Sequence, residues 1–232
     1  MSAIRISEIF GPTIAGEGAQ IGKPTVFVRT GGCDYRCAWC DTLYAVETQY
    51  KADWLPMTAN EVFEEVQHLS PEPILVTLSG GNPAIQPLGD LIDIGQCAGY
   101  TFTMETQGSV VRPWMSCLDA LTISPKPPSS RMTTRFDLLD ECVRCNPNPS
   151  LKVVVADEED YQYARVIAGR YPFVPLYLQP CNMTVGEATA FDLTALLATY
   201  TWLVDRAAQD QWHTVTILPQ LHTIVWGNRR AV

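Results

Sequence analysis

The sequence predicts an α/β protein built on six or seven mainly parallel strands. Short apolar runs alternate with longer stretches of helical periodicity along most of the chain. The apolar runs show no clean period-two alternation, which suits strands covered on both faces. Polar residues gather where the runs end, the position at which parallel α/β folds bind ligands. A doubly wound sheet and a (β/α) barrel both fit, and the strand number falls short of eight-stranded closure.

In chain order, "TVFVRT" (25–30) reads as the first strand. "TANEVFEEVQHL" (58–69) reads as a helix: Thr58 and Glu61 form a capping box, and Val62, Phe63, Val66 and Leu69 share a face. "ILVTLSGGN" (74–82) is a strand ending in glycines, followed by a helix rich in Leu and Ile to about Ala98. "YTFTMETQG" (100–108) is a strand, and prolines stop the next one, "ALTISPKPP" (120–128). Residues 129–150 show no firm pattern and read as an irregular insertion. "LKVVVA" (151–156) and "VPLYLQP" (174–180) are strands with a helix between them at 158–170. A helix over roughly 187–207 precedes the last strand, "TVTILPQLH" (214–222). The whole of 1–232 reads as a single core domain.

Composition narrows the function. A net charge of −9 without a basic patch argues against direct nucleic-acid binding and for a small-molecule partner. The opening "MSAIRISEIFG" resembles neither a secretory signal nor a transit peptide, and no run of 18 apolar residues suggests a membrane span. A cytoplasmic protein is expected. In that reducing compartment, eight cysteines point to metal or redox chemistry rather than a disulfide framework.

The chemistry concentrates in "GGCDYRCAWCDT" (31–42), where Cys33, Cys37 and Cys40 are spaced C-x3-C-x2-C behind two glycines. Soft thiolates select zinc, copper(I) or iron–sulfur clusters. Three thiolates leave one iron of a four-iron cluster open to the amine and carboxylate of a small molecule. A zinc site would need a further ligand, and Cys142-x2-Cys145 offers one. That pair also reads as a separate metal site or an incidental spacing. Cys97, Cys117 and Cys181 read as small core residues. Trp39, beside Cys40, is placed to cover a bound adenine.

This cysteine spacing, with an aromatic before the third cysteine, resembles the radical S-adenosylmethionine superfamily. A longer series is similar, in order, to the 7-carboxy-7-deazaguanine synthase family. It runs through "FGPTIAGEGAQIGKPTVFVRTGGCDYRCAWCDT", "LSGGNP", "METQGS", "ISPKPPSS", "LKVVV", "YLQP" and "LPQLHTIVWGNRR". The resemblance implies a modified, incomplete (β/α) barrel carrying a [4Fe-4S] cluster on Cys33, Cys37 and Cys40. It implies S-adenosylmethionine at the open iron, cleaved to a 5′-deoxyadenosyl radical, and an assisting Mg2+ ion. The implied substrate is 6-carboxy-5,6,7,8-tetrahydropterin, and the implied products are 7-carboxy-7-deazaguanine and ammonia, on the route to queuosine or other 7-deazapurines. S-adenosylmethionine is then regenerated. A homodimer and an electron donor such as flavodoxin or ferredoxin follow from the same resemblance.

Residue by residue, the resemblance implies a pterin site built from the turn Ile14, Ala15 and Gly16, with Glu17, Arg29, Ser79, Gln220, His222 and the C-terminal carboxylate of Val232. Glu17 can accept from a guanidine-like edge and Arg29 can pair with a carboxylate, although a structural ion pair uses the same residue types. Gln220 and His222 are read at near-alternate positions of the last strand. The cofactor side takes Trp39, Asp41, Gly80, Gly81, Glu105, Ser124, Pro125, Lys126 and Gln179. Asn82 replaces the acidic residue that usually follows the two glycines, leaving a carbonyl oxygen for the cofactor's amino group. Thr42 matches the Mg2+ ligand, with a loop-capping hydroxyl as the other reading.

Overall fold

The computed structural model describes residues 3–184 and 190–232. Its strands are β1 (Ile4–Ile14), β2 (Pro24–Thr30), β3 (Leu55–Met57), β4 (Leu75–Gly80), β5 (Thr101–Thr106), β6 (Ala120–Ile123), β7 (Pro149–Val155), β8 (Leu176–Pro180) and β9 (Thr216–Ile217). All belong to one sheet in the order β3-β1-β2-β4-β5-β6-β7-β8-β9. From β2 to β9 every pairing is parallel, and these are the seven strands read from sequence. The order is linear, so the sheet stays open rather than closing into a barrel.

Two antiparallel strands escape the sequence reading. β1 pairs with both β2 and β3. Its period is broken by Gly11-Pro12, where the register with β2 shifts, and glycine and proline weaken any strand signal.

The strands do alternate, contrary to the reading of two covered apolar faces. Val26, Val28, Val76, Leu78, Phe102, Met104, Leu121, Ile123, Leu151 and Val153 are buried in one continuous core. The residues between them include Arg29, Thr77, Ser79, Thr103, Glu105, Thr122 and Lys152, and they face the other way. Much of that second set is Thr, a good strand former that disguises the alternation as a continuous run. The sheet therefore has one apolar face under helices and one polar face. Buried hydroxyls on the polar face pair with each other, as in Thr25 with Thr77 at 2.7 Å and Thr122 with Ser150 at 3.2 Å.

The helices are α1 (Leu43–Val46), α2 (Ala59–Leu69), α3 (Gly89–Cys97), α4 (Phe136–Cys145), α5 (Glu158–Arg170), α6 (Leu193–Gln209) and α7 (Leu221–Trp226). The predicted capping box starts α2: the Glu61 amide donates to Thr58 Oγ1 at 3.3 Å, and the Thr58 amide donates to Glu61 Oε2 at 2.7 Å. α4 occupies much of 129–150, where an irregular insertion is expected from sequence. Its amphipathic signal is real, with Leu139 and Cys142 buried, but no side chain caps its N-terminus to announce it. α6 begins at Leu193, where Asp192 accepts from the Ala195 amide at 2.9 Å. The expected start over 187–189 lies outside the described residues. The last strand ends earlier than expected, because Pro219 has no N–H to continue the ladder. Gln220 is instead the N-cap of α7 and His222 sits in its first turn, so the two are not alternating strand residues. Among the described residues, no helix is long and apolar enough to cross a membrane.

Candidate active site

The polar face of the sheet opens into a cavity of about 520 Å³. Phe27, Arg29, Thr77, Ser79, Thr103 and Glu105 of the sheet line it, together with the cysteine loop, residues 14–17 and the tail 227–232.

The cysteine loop is set by close backbone packing. A Cβ on Gly81 would lie 2.1 Å from the Gly32 carbonyl oxygen, and one on Gly80 would lie 2.2 Å from that of Thr30. Gly80 and Gly32 also hold positive φ. The loop's other support is the segment after β6. Trp39 Nε1 donates to Ser129 Oγ at 2.9 Å, and Ser129 Oγ donates to Asp160 Oδ2 at 2.5 Å. Asp160 is fully buried and also accepts from the amides of Ser129 and Ala156, each at 2.9 Å. Lys126 Nζ lies 5.6 Å from the centre of the Trp39 ring.

Cys33, Cys37 and Cys40 all line the cavity. Burial pushes all three thiols up, Cys40 to about 11, with Asp41 adding repulsion there. A metal centre must therefore displace protons to bind. Among the described residues, no three His, Cys, Asp or Glu side chains converge to hold a single ion. Three soft donors along one wall fit a multi-iron cluster, in which each thiolate takes a different iron. Cys142 and Cys145 do not complete this set. They lie on α4 outside the cavity, with the Cys142 thiol donating to the Val110 carbonyl at 3.7 Å and that of Cys145 to the Cys142 carbonyl at 3.1 Å. Cys97 and Cys117 are exposed rather than core residues, whereas Cys181 is buried.

The same cavity is lined by Ile14, Ala15, Gly16, Glu17, Arg29, Ser79, His222 and Val232. Arg29 donates from Nε to Glu8 Oε1 at 2.7 Å, so its ion-pair partner is the cross-strand Glu8 and not Glu17. Its terminal nitrogens have no protein partner among the described residues. Glu17 accepts from Gln220 Nε2 at 2.7 Å and is bonded to Lys152 Nζ. Burial works to raise the Glu17 carboxyl, but Lys152 and His222 outweigh it and hold the group at about 2. Lys152 is only 2 % exposed, and burial alone would lower its ammonium; Glu105 and Glu17 hold it charged.

Trp39, Asp41, Thr42, Gly80, Gly81, Glu105 and Lys126 also line the cavity. Thr42 is the N-cap of α1, yet its hydroxyl makes no capping bond and lies 3.7 Å from Cys40 Sγ. Five expected residues support the wall from behind instead. Asn82 is fully buried, and its amide is already committed: Nδ2 donates to Asp34 at 2.8 Å, and Oδ1 accepts from Thr106 Oγ1 at 2.8 Å. Ser124 accepts from Lys126 Nζ at 3.2 Å, and Pro125 follows it. Gln179 donates to the Pro219 carbonyl at 2.9 Å, and Gln220 serves Glu17.

Lys152, Gln107 and Tyr44 are missing from the sequence reading. Gln107 Nε2 donates to Asp34 at 2.7 Å and lies 3.6 Å from Cys33 Sγ. Lys152 did carry a signal, since a charged residue inside the apolar run "LKVVV" is rarely buried unless paired.

No protein-family model matches the chain. A 7-carboxy-7-deazaguanine synthase from Bacillus subtilis (strain 168) is 44% identical over 239 residues, covering 99% of this chain and 98% of that protein. A second from Bacillus cereus is 43% identical over 240 residues and covers 100% of both. Among solved structures, QueE from Escherichia coli superposes with a TM-score of 0.69 at 21% identity, covering 95% of each chain, a likeness of fold.

Proposed function

This chain is an enzyme of the 7-carboxy-7-deazaguanine synthase family, and on that premise we propose that it converts 6-carboxy-5,6,7,8-tetrahydropterin into 7-carboxy-7-deazaguanine and ammonia. One observation carries the reading: a single cavity is lined by three thiols together with Glu17, Arg29 and His222. Its volume suits a pterin beside part of a nucleoside cofactor.

A [4Fe-4S] cluster on Cys33, Cys37 and Cys40, with S-adenosylmethionine, supplies hydrogen-atom abstraction from the substrate and its later return, so the cofactor is used catalytically. The chain's own residues bind and orient. The free terminal nitrogens of Arg29 take the substrate carboxylate, because Glu8 occupies only Nε. Glu17 stays ionised and accepts from the guanidine-like edge of the pterin. The small residues Ala15 and Gly16 let the ring approach the backbone. The Thr42 hydroxyl, uncommitted to capping, would hold a Mg2+ ion, which would offset charge at the substrate carboxylate. Trp39 covers the adenine, and Glu105 reaches the ribose hydroxyls. The tail ending at Val232 excludes water. The protein acts as one core domain and a cytoplasmic homodimer, reduced by flavodoxin or ferredoxin, in queuosine or 7-deazapurine biosynthesis.

The test is anaerobic turnover with reductant, S-adenosylmethionine and the carboxytetrahydropterin. The deazapurine and one equivalent of ammonia are expected. Pterin recovered unchanged while S-adenosylmethionine is cleaved rejects the reading in favour of an enzyme that activates a partner protein.

A further inference from the structure

Lys152 has no part in the mechanism so far, yet it is among the most deeply buried charges in the protein. It projects from β7 toward the polar face, and its stem passes Gly18, where an added Cβ would lie 3.8 Å from Cδ. Its ammonium is bonded to Glu17 and to Glu105. These two carboxylates come from separate elements: Glu17 follows β1, and Glu105 lies on β5. Each keeps a second oxygen. That of Glu17 accepts from Gln220, and that of Glu105 has no protein partner among the described residues.

We propose that Lys152 is a positioning residue that registers the substrate against the cofactor by holding Glu17 and Glu105 on one ammonium. The inference rests on the reading that Glu17 serves the pterin and Glu105 the ribose. Hydrogen transfer needs the two reacting carbons in contact, and a misplacement of about 1 Å costs on the order of 100-fold in rate. Without Lys152 the two carboxylates repel each other and part. A buried cation shared by both fixes their separation, and thus the separation of the ligands they hold. Glu17 is faced by Lys152 from β7, by His222 on α7 and by Gln220 at its N-cap; Glu105 is faced by Lys152. His222 is common to every variant below, so differences between them do not arise from it.

The test uses Lys152→Met combined with Glu105→Gln, which removes one charge of each sign and leaves the buried balance intact. Binding of 6-carboxypterin, an unreactive oxidised analogue, is followed by tryptophan fluorescence across about pH 5 to 8. Wild-type affinity should change little below neutrality. The double variant should bind at least tenfold more weakly at the acidic end, because burial now raises Glu17 and protonates it there. Glu17→Gln should weaken binding at every pH, and adding it to the double variant should cost nothing further at the acidic end. In turnover, the double variant should cleave S-adenosylmethionine several times for each product formed, and more often than Glu105→Gln alone. Equal affinity and the same pH profile in wild type and double variant, or unchanged coupling of cleavage to product, would overturn the inference while leaving the substrate assignment standing. Wild-type protein that binds no 6-carboxypterin removes both.

Discussion

The imidazole of His222 lies flat against the backbone of Gly16: a Cβ built on that glycine would sit 2.3 Å from Nδ1. The contact is reinforced by the Leu221 amide, which donates to the Gly16 carbonyl at 3.0 Å. Gly16→Ala must therefore push His222 out of its place beside Glu17. We expect kcat/KM for the pterin to fall by about tenfold or more, roughly 1.4 kcal/mol in transition-state binding. His222→Ala in that background should add little, since both changes remove one interaction. Fully additive effects in steady-state kinetics would separate the two residues.

Glu17 gives a stability signature with a defined sign. Its folded value, about 2, lies below the ordinary 4.5, so its contribution is complete above the ordinary value and is lost as pH falls toward 2. Denaturant melts should show stability declining over that window by on the order of 1–3 kcal/mol from this group. In Glu17→Gln that segment of the profile should flatten. An unchanged slope would place the acid sensitivity elsewhere.

The C-terminal tail is clasped by Arg230. Its Nε donates to Glu8 Oε2 at 2.8 Å, and its guanidinium sits 3.7 Å from the centre of the Tyr44 ring. Glu8 also holds Arg29 and accepts from the Tyr44 hydroxyl at 3.0 Å, so the tail and the cavity-lining Arg29 share one carboxylate. Arg230→Ala should release the tail from the cavity, raising KM for the pterin about tenfold with a smaller change in kcat. Carboxypeptidase should then trim the C-terminus faster. Tyr44→Ala should reproduce part of the effect through the lost cation–π contact, worth about 0.5–2 kcal/mol.

Asp160 supports the cysteine loop from 31 residues beyond its partner Ser129 in sequence. Asp160→Ala leaves the Ser129 hydroxyl and two amides, those of Ser129 and Ala156, without their acceptor. A stability loss of about 2–4 kcal/mol is expected, from several unsatisfied donors at once. Iron bound per chain after reconstitution should fall as well, because Trp39 loses its anchor. Normal iron content with lowered stability would confine Asp160 to a structural role.

Much of this was legible in the chain. The seven parallel strands, the capping box at Thr58 and Glu61, and the cysteine loop all rest on local patterns. What stayed hidden depends on partners far apart in sequence. β1 is interrupted at Gly11-Pro12, and only pairing with β2 and β3 reveals it as a strand. Lys152 meets Glu17 from 135 residues away, a contact no local period records. Asn82 shows the opposite limit. Its residue type suggested a ligand contact, but burial and three neighbouring polar groups, Asp34, Thr106 and Ser109, decide what its amide bonds to. The alternation of Thr with Val and Leu is masked by the strand-forming character of Thr, and once the burial is known it marks which face of the sheet carries the cavity.

If one cavity joins three cluster-binding cysteines to a pterin site, S-adenosylmethionine is used catalytically there. Reconstituted enzyme supplied with excess carboxytetrahydropterin and reductant but substoichiometric S-adenosylmethionine then gives a direct readout in the amount of product. We expect 7-carboxy-7-deazaguanine in molar excess over the S-adenosylmethionine added. Product that stops at or below that amount, or pterin left intact while the cofactor is consumed, would contradict it.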